Sequence, residues 1–283
     1  MNDATDVRVR TMTREELSLV IDWAAQEGWN PGIHDAECFY ATDPHGFFLA
    51  EREGIPAGAL SAVVYDDSFG FAGFYIVKPE LRGRGVGHRL VQHASDYAGN
   101  RTVGSDAVVA QQDTYKSLGF HMAYRTIRHR GIASSKAIHI PGIIDLTTLP
   151  FSYLTHYDRR MFPAERASFL RCWITQPGAT ALGFMKDRQL AGYGVIRKCR
   201  QGHKIGPLFA DNDEIADILL QSLTAAIPEE EFFLDIPEPN TDAAALASRY
   251  HMKKVFETAR MYMGAAPSLP LERIFGVTSF ELG

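Results

Sequence analysis

The first part of the chain alternates between strand-like and helix-like patterns of apolar residues. Residues 7–12 alternate apolar and polar side chains, which is typical of a half-buried strand. Thr13 and Glu16 then have the spacing of a capping box, and Leu17, Val20 and Ala24 give the helix that follows one apolar face. The same reasoning predicts strands at residues 47–53, 57–65 and 69–77, and a second short helix at 35–41.

A glycine-rich turn follows the third of these strands and leads into a long amphipathic helix. Val86, Leu90 and Ala94 recur at helical spacing along it. A short apolar segment at 102–109, a helix-like segment at 111–118 and a strand at 120–130 follow. These elements predict one complete α/β unit.

The second half of the chain repeats parts of the first, in the same order and with nearly constant spacing. The matching pairs are Ala57-Gly58 with Ala191-Gly192, Gly87 and Leu90 with Ala216 and Leu219, and Phe120-His121-Met122 with Tyr250-His251-Met252. A duplicated fold is therefore expected. It predicts strands at 180–185, 192–198 and 204–209 and a helix at 213–226. We expect two domains, 1–131 and 142–283, joined by the aperiodic residues between them.

Composition limits the classes of function. The 283 residues are 46% hydrophobic and 22% charged, with a net charge of -5, so the field of the protein attracts neither nucleic acid nor an anionic membrane. No apolar run reaches the length of a membrane helix, and the polar first ten residues do not resemble a secretory signal. The three cysteines are too few and too scattered to predict a disulfide framework or a metal site. A soluble protein of the reducing cytoplasm, without a metal, is expected.

The turn from Arg82 to Gly87 carries the clearest chemical signal. A helix that begins there leaves backbone N–H groups unsatisfied and carries partial positive charge at its start, which suits a pyrophosphate. Three glycines let a phosphate approach the backbone, and two arginines add charge. A plain solvated turn is the alternative. A dinucleotide-binding GxGxxG motif is excluded because His88 stands where the third glycine is required.

Residues 77–87 resemble the acyl-CoA-binding signature of the GNAT acetyltransferases, Gln/Arg-x-x-Gly-x-Gly/Ala. Arg82, Gly85 and Gly87 fill its fixed positions, and the resemblance extends over about residues 7–130. It implies an α/β (α+β) fold of two GNAT-like domains, each with a mixed, mostly antiparallel sheet flanked by helices. It also implies that acetyl-CoA is the cosubstrate. The residues expected to hold it are Ile76, Val77, Arg82, Gly83, Arg84, Gly85, Val86 and Gly87.

A second similarity to the family lies at Tyr115, which begins a Tyr-x-x-x-Gly-Phe sequence ending at Phe120. The resemblance implies that Tyr115 is the general acid that protonates the departing thiolate, a role for which a phenol is protonated at neutral pH. A core tyrosine is the alternative. Val108 departs from the family, which often has asparagine at that position, so the contacts that hold the pantetheine arm are expected to differ from those of the family.

The sequence does not identify a general base. The strand at 69–77, which often carries a glutamate in the family, contains no carboxylate, so water or a base from another element is expected. His34, Asp35, Glu37 and Asp66 are candidates, each with a surface or capping role as the alternative. A backbone N–H near Ile76 or Val77 is expected to meet the developing oxyanion.

The resemblance to the family implies that the acceptor wall lies in the connection between the first two helices. Trp29 and Asp35 are the candidate substrate contacts there. For Trp29, the alternative is an aromatic side chain that fills a corner between helices.

The second half has lost the anion-binding turn. Residues 211–216 retain neither its glycines nor its arginines, and their three carboxylates would repel a pyrophosphate. This half resembles the degenerate domain of tandem GNAT proteins. Lining of the acceptor pocket is favoured for it because ligand sites are common between domains, and dimerisation or bracing of the first domain are the alternatives.

The sequence thus predicts an N-acetyltransferase that transfers an acetyl group directly from acetyl-CoA to the primary amine of a small molecule. A CoA-binding sensor without turnover and a protein or peptide N-acetyltransferase are the alternatives. A nucleic-acid-binding module is disfavoured by the charge. The oligomeric state is left open.

Overall fold

The computed structural model describes residues 6–134 and 140–283. The first half contains β1 (Val7–Thr11), α1 (Arg14–Gln26), α2 (Asp35–Thr42), β2 (Phe47–Arg52), β3 (Ile55–Val64), β4 (Phe69–Val77), α3 (Val86–Ala98), β5 (Thr102–Val108), α4 (Gln112–Ser117) and β6 (His121–Ile132). The second half contains β7 (Ile143–Asp145), α5 (Phe151–Arg159), α6 (Ala167–Trp173), β8 (Thr180–Lys186), β9 (Gln189–Lys198), β10 (His203–Ala210), α7 (Asp213–Thr224), β11 (Glu231–Pro237), α8 (Thr241–Arg249), β12 (Lys253–Met263) and β13 (Ile274–Gly276). The strands and helices predicted for the first half are confirmed in kind and order.

The start of α1 shows how the local sequence sets an element. The Thr13 hydroxyl accepts a hydrogen bond from the Glu16 backbone N–H at 3.4 Å, and the Glu16 carboxylate accepts one from the Thr13 N–H at 2.9 Å. This confirms the capping box. Leu17, Val20 and Ala24 are fully buried and share a core with Phe74 of β4, so α1 packs on the sheet beside the site.

The described strands form one sheet in the order β1-β2-β3-β4-β5-β12-β6-β11-β10-β9-β8-β7, with β13 beside β10. Among the strands of residues 6–134 and 140–283, two pairs are parallel, β4 with β5 and β10 with β11. The expected mixed, mostly antiparallel architecture flanked by helices is confirmed.

The two halves exchange their last long strands. β12 of the second half pairs with β5, where Thr258 lies opposite Val108, and β6 of the first half pairs with β11, where Arg128 lies opposite Asp235. A division of the chain at residue 131 therefore does not separate two independent sheets. Residues 135–139 of the predicted junction lie outside the described residues.

Helix packing repeats between the halves. A Cβ at Gly58 of β3 would lie 3.2 Å from a Leu90 methyl of α3, and a Cβ at Gly192 of β9 would lie 3.0 Å from a Leu219 methyl of α7. Each glycine lets a helix lie close against its strand. This shared packing agrees with the predicted duplication.

The two parallel strand pairs differ where they separate. β4 and β5 pair from Phe69 with Thr102 to Ala72 with Ser105, and no further pairing between them follows in the described residues. In the second half β10 pairs with β11 up to Ile205, and β13 then pairs with the remainder of β10. The gap between the separating strands is thus an open cavity in the first half, whereas β13 occupies the equivalent gap in the second half.

A disulfide joins the two halves. Cys38 of α2 and Cys172 of α6 are bonded, with their Cα atoms 5.2 Å apart. The sequence predicted no disulfide framework and did not anticipate this single bond, because residues far apart in sequence meet where the two helices pack. Cys199 is buried and free.

Candidate active site

A cavity of about 550 Å³ opens where β4 and β5 separate. It is lined by residues from both halves, including β4, β5, α4 and the start of α3 from the first half and β12 and the C-terminal residues from the second. Eight of the predicted site residues line it, namely Trp29, Ile76, Val77, Arg82, Gly83, Gly85, Gly87 and Tyr115. The structure therefore brings the predicted turn, the tyrosine and the tryptophan to one space.

The turn before α3 has the geometry that its glycines predict. Gly83 and Gly85 adopt φ values of +75° and +84°, a region that side chains disfavour, and Gly85 caps the helix. A Cβ at Gly87 would lie 3.2 Å from the Tyr75 ring carbon that carries the hydroxyl, so the packing of Tyr75 requires glycine at this position. The first turn of α3 carries no acidic residue. Its N–H groups and dipole are thus left available for an anion.

Two contacts fix the side chain of Arg82 at the start of this turn. Its Nε donates to the Val77 carbonyl oxygen at 2.9 Å, and its terminal nitrogen lies 2.7 Å from a Glu27 carboxylate oxygen. The other two predicted turn residues lie outside the cavity lining. Arg84 is exposed, and Val86 is buried in the core between α3 and β3.

The corresponding position in the second half is built differently. The Asn212 side chain accepts a hydrogen bond from the Ile215 backbone N–H at 3.0 Å, so a side chain already caps α7. Asp213 and Glu214 lie in the first turn. These carboxylates disfavour an anion at that helix start.

Tyr115 lies on α4 with 7% of its surface exposed. Its ring packs edge-on against Tyr75 and Phe120, with centroid distances of 6.3 and 5.2 Å. Burial raises the pKa of the Tyr115 hydroxyl to about 12. The phenol is therefore protonated at neutral pH.

The cavity is mainly aromatic near Trp29, whose carbonyl oxygen accepts a hydrogen bond from Arg128, the cation that lies over the Phe256 and Phe280 rings. Phe74 from the first half and Phe256 and Phe280 from the second half line it, together with Thr258 and Glu281. Sequence reasoning anticipated a contribution from the second half without identifying these residues. Nothing in the local sequence indicated them, because the exchange of β12 and the course of the C-terminal residues place them here.

Asp35 is placed elsewhere, and its selection as a substrate contact is corrected. It is fully buried, its Oδ1 accepts from Arg197 Nε at 2.8 Å and its Oδ2 accepts from the Gly32 N–H at 2.8 Å. It does not line the cavity, and it joins α2 to β9 across the two halves.

The other base candidates from the sequence also lie outside the cavity lining. Glu37 is exposed and pairs with Arg14, and His34 is exposed. Asp66 accepts hydrogen bonds from Ser68 and Phe69 in a turn.

Two further features concern metals and membranes. No group of three or more His, Cys, Asp or Glu side chains within residues 6–134 and 140–283 is arranged to hold a metal ion. None of the helices in that part of the chain combines the length and apolarity that crossing a bilayer requires.

Both halves match models of one family. The acetyltransferase (GNAT) family model matches residues 14–122, and an acetyltransferase (GNAT) domain model matches residues 154–276. The chain is 30% identical over 270 residues to the holothin acyltransferase of Pseudoalteromonas sp. (strain SANK 73390), with 95% of this chain and 92% of the relative covered.

Solved structures share the fold. A putative acetyltransferase from Pyrococcus horikoshii matches with a TM-score of 0.84 and 21% identity, covering 99% of this chain and 96% of that one. A tandem GNAT protein from the clavulanic acid biosynthesis pathway matches with a TM-score of 0.63 and 16% identity, covering 93% of this chain and 99% of that one. With the family models and the acyltransferase relative, these findings show that the chain belongs to the GNAT family and is an acyltransferase with two GNAT domains in tandem.

Proposed function

We propose that the protein transfers an acetyl group from acetyl-CoA directly to the primary amine of a small molecule. The single observation that carries this proposal is the cavity itself. It joins the glycine turn, Tyr115 and the aromatic end beside Trp29 in one space, so donor and acceptor can meet without a covalent enzyme intermediate.

The family uses acetyl-CoA, and the first half has the features that this cosubstrate needs. The turn from Arg82 to Gly87 and the start of α3 would hold the pyrophosphate, and the separated edges of β4 and β5 would receive the pantetheine arm. Support comes from the contrast with the second half, where β13 occupies the equivalent gap and acidic residues stand at the helix start.

Within this cavity, Tyr115 is proposed as the general acid. Its high pKa keeps a proton on the phenol, which it can give to the departing sulfur. A backbone N–H near Ile76 or Val77 is proposed to stabilise the oxyanion on the acyl group.

The acceptor is proposed to be a small amine with a flat apolar body. Four aromatic side chains line that end of the cavity, and flat rings pack well against such walls. The relative that matches 95% of this chain is named holothin acyltransferase, and this supports acyl transfer to an acceptor of the same kind.

The test is a screen for thiol release from acetyl-CoA with benzylamine, 4-methylaniline, tyramine, spermidine, L-lysine and a short peptide with a free N-terminus. We expect turnover with one or more of the aromatic amines. Turnover with the peptide alone would favour a peptide N-acetyltransferase. Binding of acetyl-CoA without thiol release from any acceptor would favour the sensor and overturn the proposal.

A further inference from the structure

The C-terminal segment, residues 277–283, is buried between the two halves. All seven residues are buried, and the segment runs between the backbones of β4 and β10. A Cβ at Gly73 of β4 would lie 3.0 Å from the Glu281 carbonyl carbon, and a Cβ at Gly206 of β10 would lie 2.8 Å from the Val277 carbonyl oxygen. Glycines at both positions thus make room for this segment, which brings Glu281 to the cavity.

The Glu281 carboxylate is buried without a hydrogen-bonding partner. The residue is 1% exposed, and neither carboxylate oxygen has a partner in the part of the chain that the structure describes. A buried carboxylate without partners costs free energy, so it is expected to have a ligand or a chemical role.

Glu281 differs in this respect from the other carboxylates at the cavity. Glu27 is paired with Arg82 at 2.7 Å, and Asp106 receives two hydrogen bonds from Arg260 at 2.9 and 2.7 Å. Among the three carboxylates that line the cavity, Glu281 alone keeps both oxygens free. His88 also lines it, but at the first turn of α3, in the proposed pyrophosphate site.

The cations around Glu281 partly offset the effect of burial on the pKa of its carboxyl group. Burial raises the pKa of Glu281, while the cations Lys204 of β10, Arg128 of β6 and Arg197 of β9 lower it and Asp35 of α2 raises it. These groups place Glu281 in a setting where it can ionise and still be a stronger base than an exposed carboxylate.

Lys204 is the cation with the largest effect on Glu281. Arg128 is paired with Asp235 and Arg197 with Asp35, whereas Lys204 donates only to the Trp29 carbonyl oxygen, at 3.4 Å, and has no ion pair among the described residues. Its charge is therefore not neutralised by a paired carboxylate and can favour the ionised form of Glu281.

We propose that Glu281 is the general base that deprotonates the acceptor amine. The proposal rests on the proposed function, and it assigns the catalytic proton acceptor to the second half of the chain. This would give a half without its own CoA turn a direct part in the reaction.

The proposed reaction conserves protons and electron pairs. The Glu281 carboxylate takes one proton from the acceptor's ammonium group, and the freed electron pair forms the N–C bond at the acyl carbon. The C–S bond breaks, its electron pair leaves on sulfur, and Tyr115 gives sulfur a proton. The nitrogen then loses a second proton, which reprotonates the Tyr115 phenolate, and Glu281 releases its proton to water.

The experiment compares the wild-type protein with Glu281→Gln, Glu281→Asp and the control Glu272→Gln, which removes the same charge from an exposed position on the approach to β13. Each is assayed with the best amine of the panel above, for kcat at saturating amine across pH and for acetyl-CoA affinity by calorimetry. We expect kcat of Glu281→Gln to fall about 10²- to 10⁴-fold with unchanged acetyl-CoA affinity, and Glu281→Asp to retain part of the activity.

The pH profile separates a base from a structural residue. Wild-type kcat should decline as pH falls through a pKa above the usual carboxyl range, and Glu281→Gln should lack this acidic decline. Equal kcat in wild type and Glu281→Gln, or a loss of kcat that leaves the acidic decline in place, would overturn the assignment of Glu281 as the base. The proposed function would be unaffected by either result. If the wild-type protein acetylates no amine of the panel, the proposed function fails and this inference fails with it.

Discussion

Gly73 and Glu281 lie backbone against backbone, although they come from a central strand of the first half and the last residues of the second. A Cβ at Gly73 would lie 3.0 Å from the Glu281 carbonyl carbon and closer still to its oxygen. Gly73→Ala should therefore displace the C-terminal segment, lower stability by about 1–3 kcal/mol and reduce turnover at least tenfold. Urea unfolding and the thiol-release assay measure the two effects.

Gly70→Ala on the same strand serves as the control for Gly73→Ala. Its Cβ would lie 3.0 Å from the Val63 backbone oxygen and 3.9 Å from backbone carbons of Val63 and Val64, none of which belongs to the C-terminal segment. If Gly70→Ala reduces turnover as much as Gly73→Ala, the specific role of the C-terminal segment is contradicted.

The buried pair between Asp35 and Arg197 is predicted to be structural. Asp35→Asn leaves a buried guanidinium without its carboxylate and should cost about 3–5 kcal/mol of unfolding free energy. Glu37→Gln on the same helix breaks only an exposed pair with Arg14 and should change stability little. A raised KM for the amine with unchanged stability in Asp35→Asn would instead support a substrate contact.

Tyr115→Phe tests the proposed general acid. It should lower kcat about 10²-fold or more while acetyl-CoA affinity is retained, because the ring remains and only the proton donor is lost. Tyr153→Phe, at an exposed position of the second half, should leave kcat unchanged.

The pH dependence of the wild-type protein gives a second check on Tyr115. A general acid works in its protonated form, and the Tyr115 hydroxyl stays protonated below its pKa of about 12. Its ionisation should not reduce kcat at neutral or mildly alkaline pH. An alkaline loss of kcat well below pH 12 that disappears in Tyr115→Phe would contradict this expectation.

The disulfide between Cys38 and Cys172 closes a long loop between the halves, with a sequence separation of 134 residues. The double variant Cys38→Ser/Cys172→Ser should lose about 2–4 kcal/mol of unfolding free energy, because the unfolded chain gains freedom. A thiol reductant should lower the stability of the wild-type protein and leave that of the double variant unchanged. Equal stability of the two proteins under oxidising conditions would show that the bond contributes little.

The parts of the fold that sequence could predict have local causes. Thr13 and Glu16 make a capping box within one turn, and Gly83 and Gly85 set the turn before α3 within a few residues. The repeat could also be recognised from the sequence, because Gly58 and Gly192 each allow a helix to pack closely on a strand, so the same residue occurs at equivalent positions in both halves.

The rest depends on contacts between residues that are distant in sequence. β12 between β5 and β6, the Cys38–Cys172 bond and the position of Glu281 arise only when the two halves fold together. Asp35 shows the opposite error, since an acidic residue at the start of the second helix suggested a substrate contact and proved to be a buried ion-pair partner. Neither the contacts between the halves nor the buried ion pair of Asp35 is indicated by a periodic pattern or a motif in the local sequence.

We predict that one acetyl-CoA binds each chain, at the turn of the first half. Calorimetric titration of acetyl-CoA into the wild-type protein, Gly85→Glu and Gly54→Glu tests it, since both glycines have similar positive φ values of +84° and +76° and Gly54 lies in an exposed hairpin turn away from the cavity. We predict one site per chain in the wild-type protein and Gly54→Glu, and a large loss of affinity in Gly85→Glu, whose carboxylate would face the pyrophosphate. Two sites per chain, or unchanged affinity in Gly85→Glu, would contradict a single CoA site at this turn.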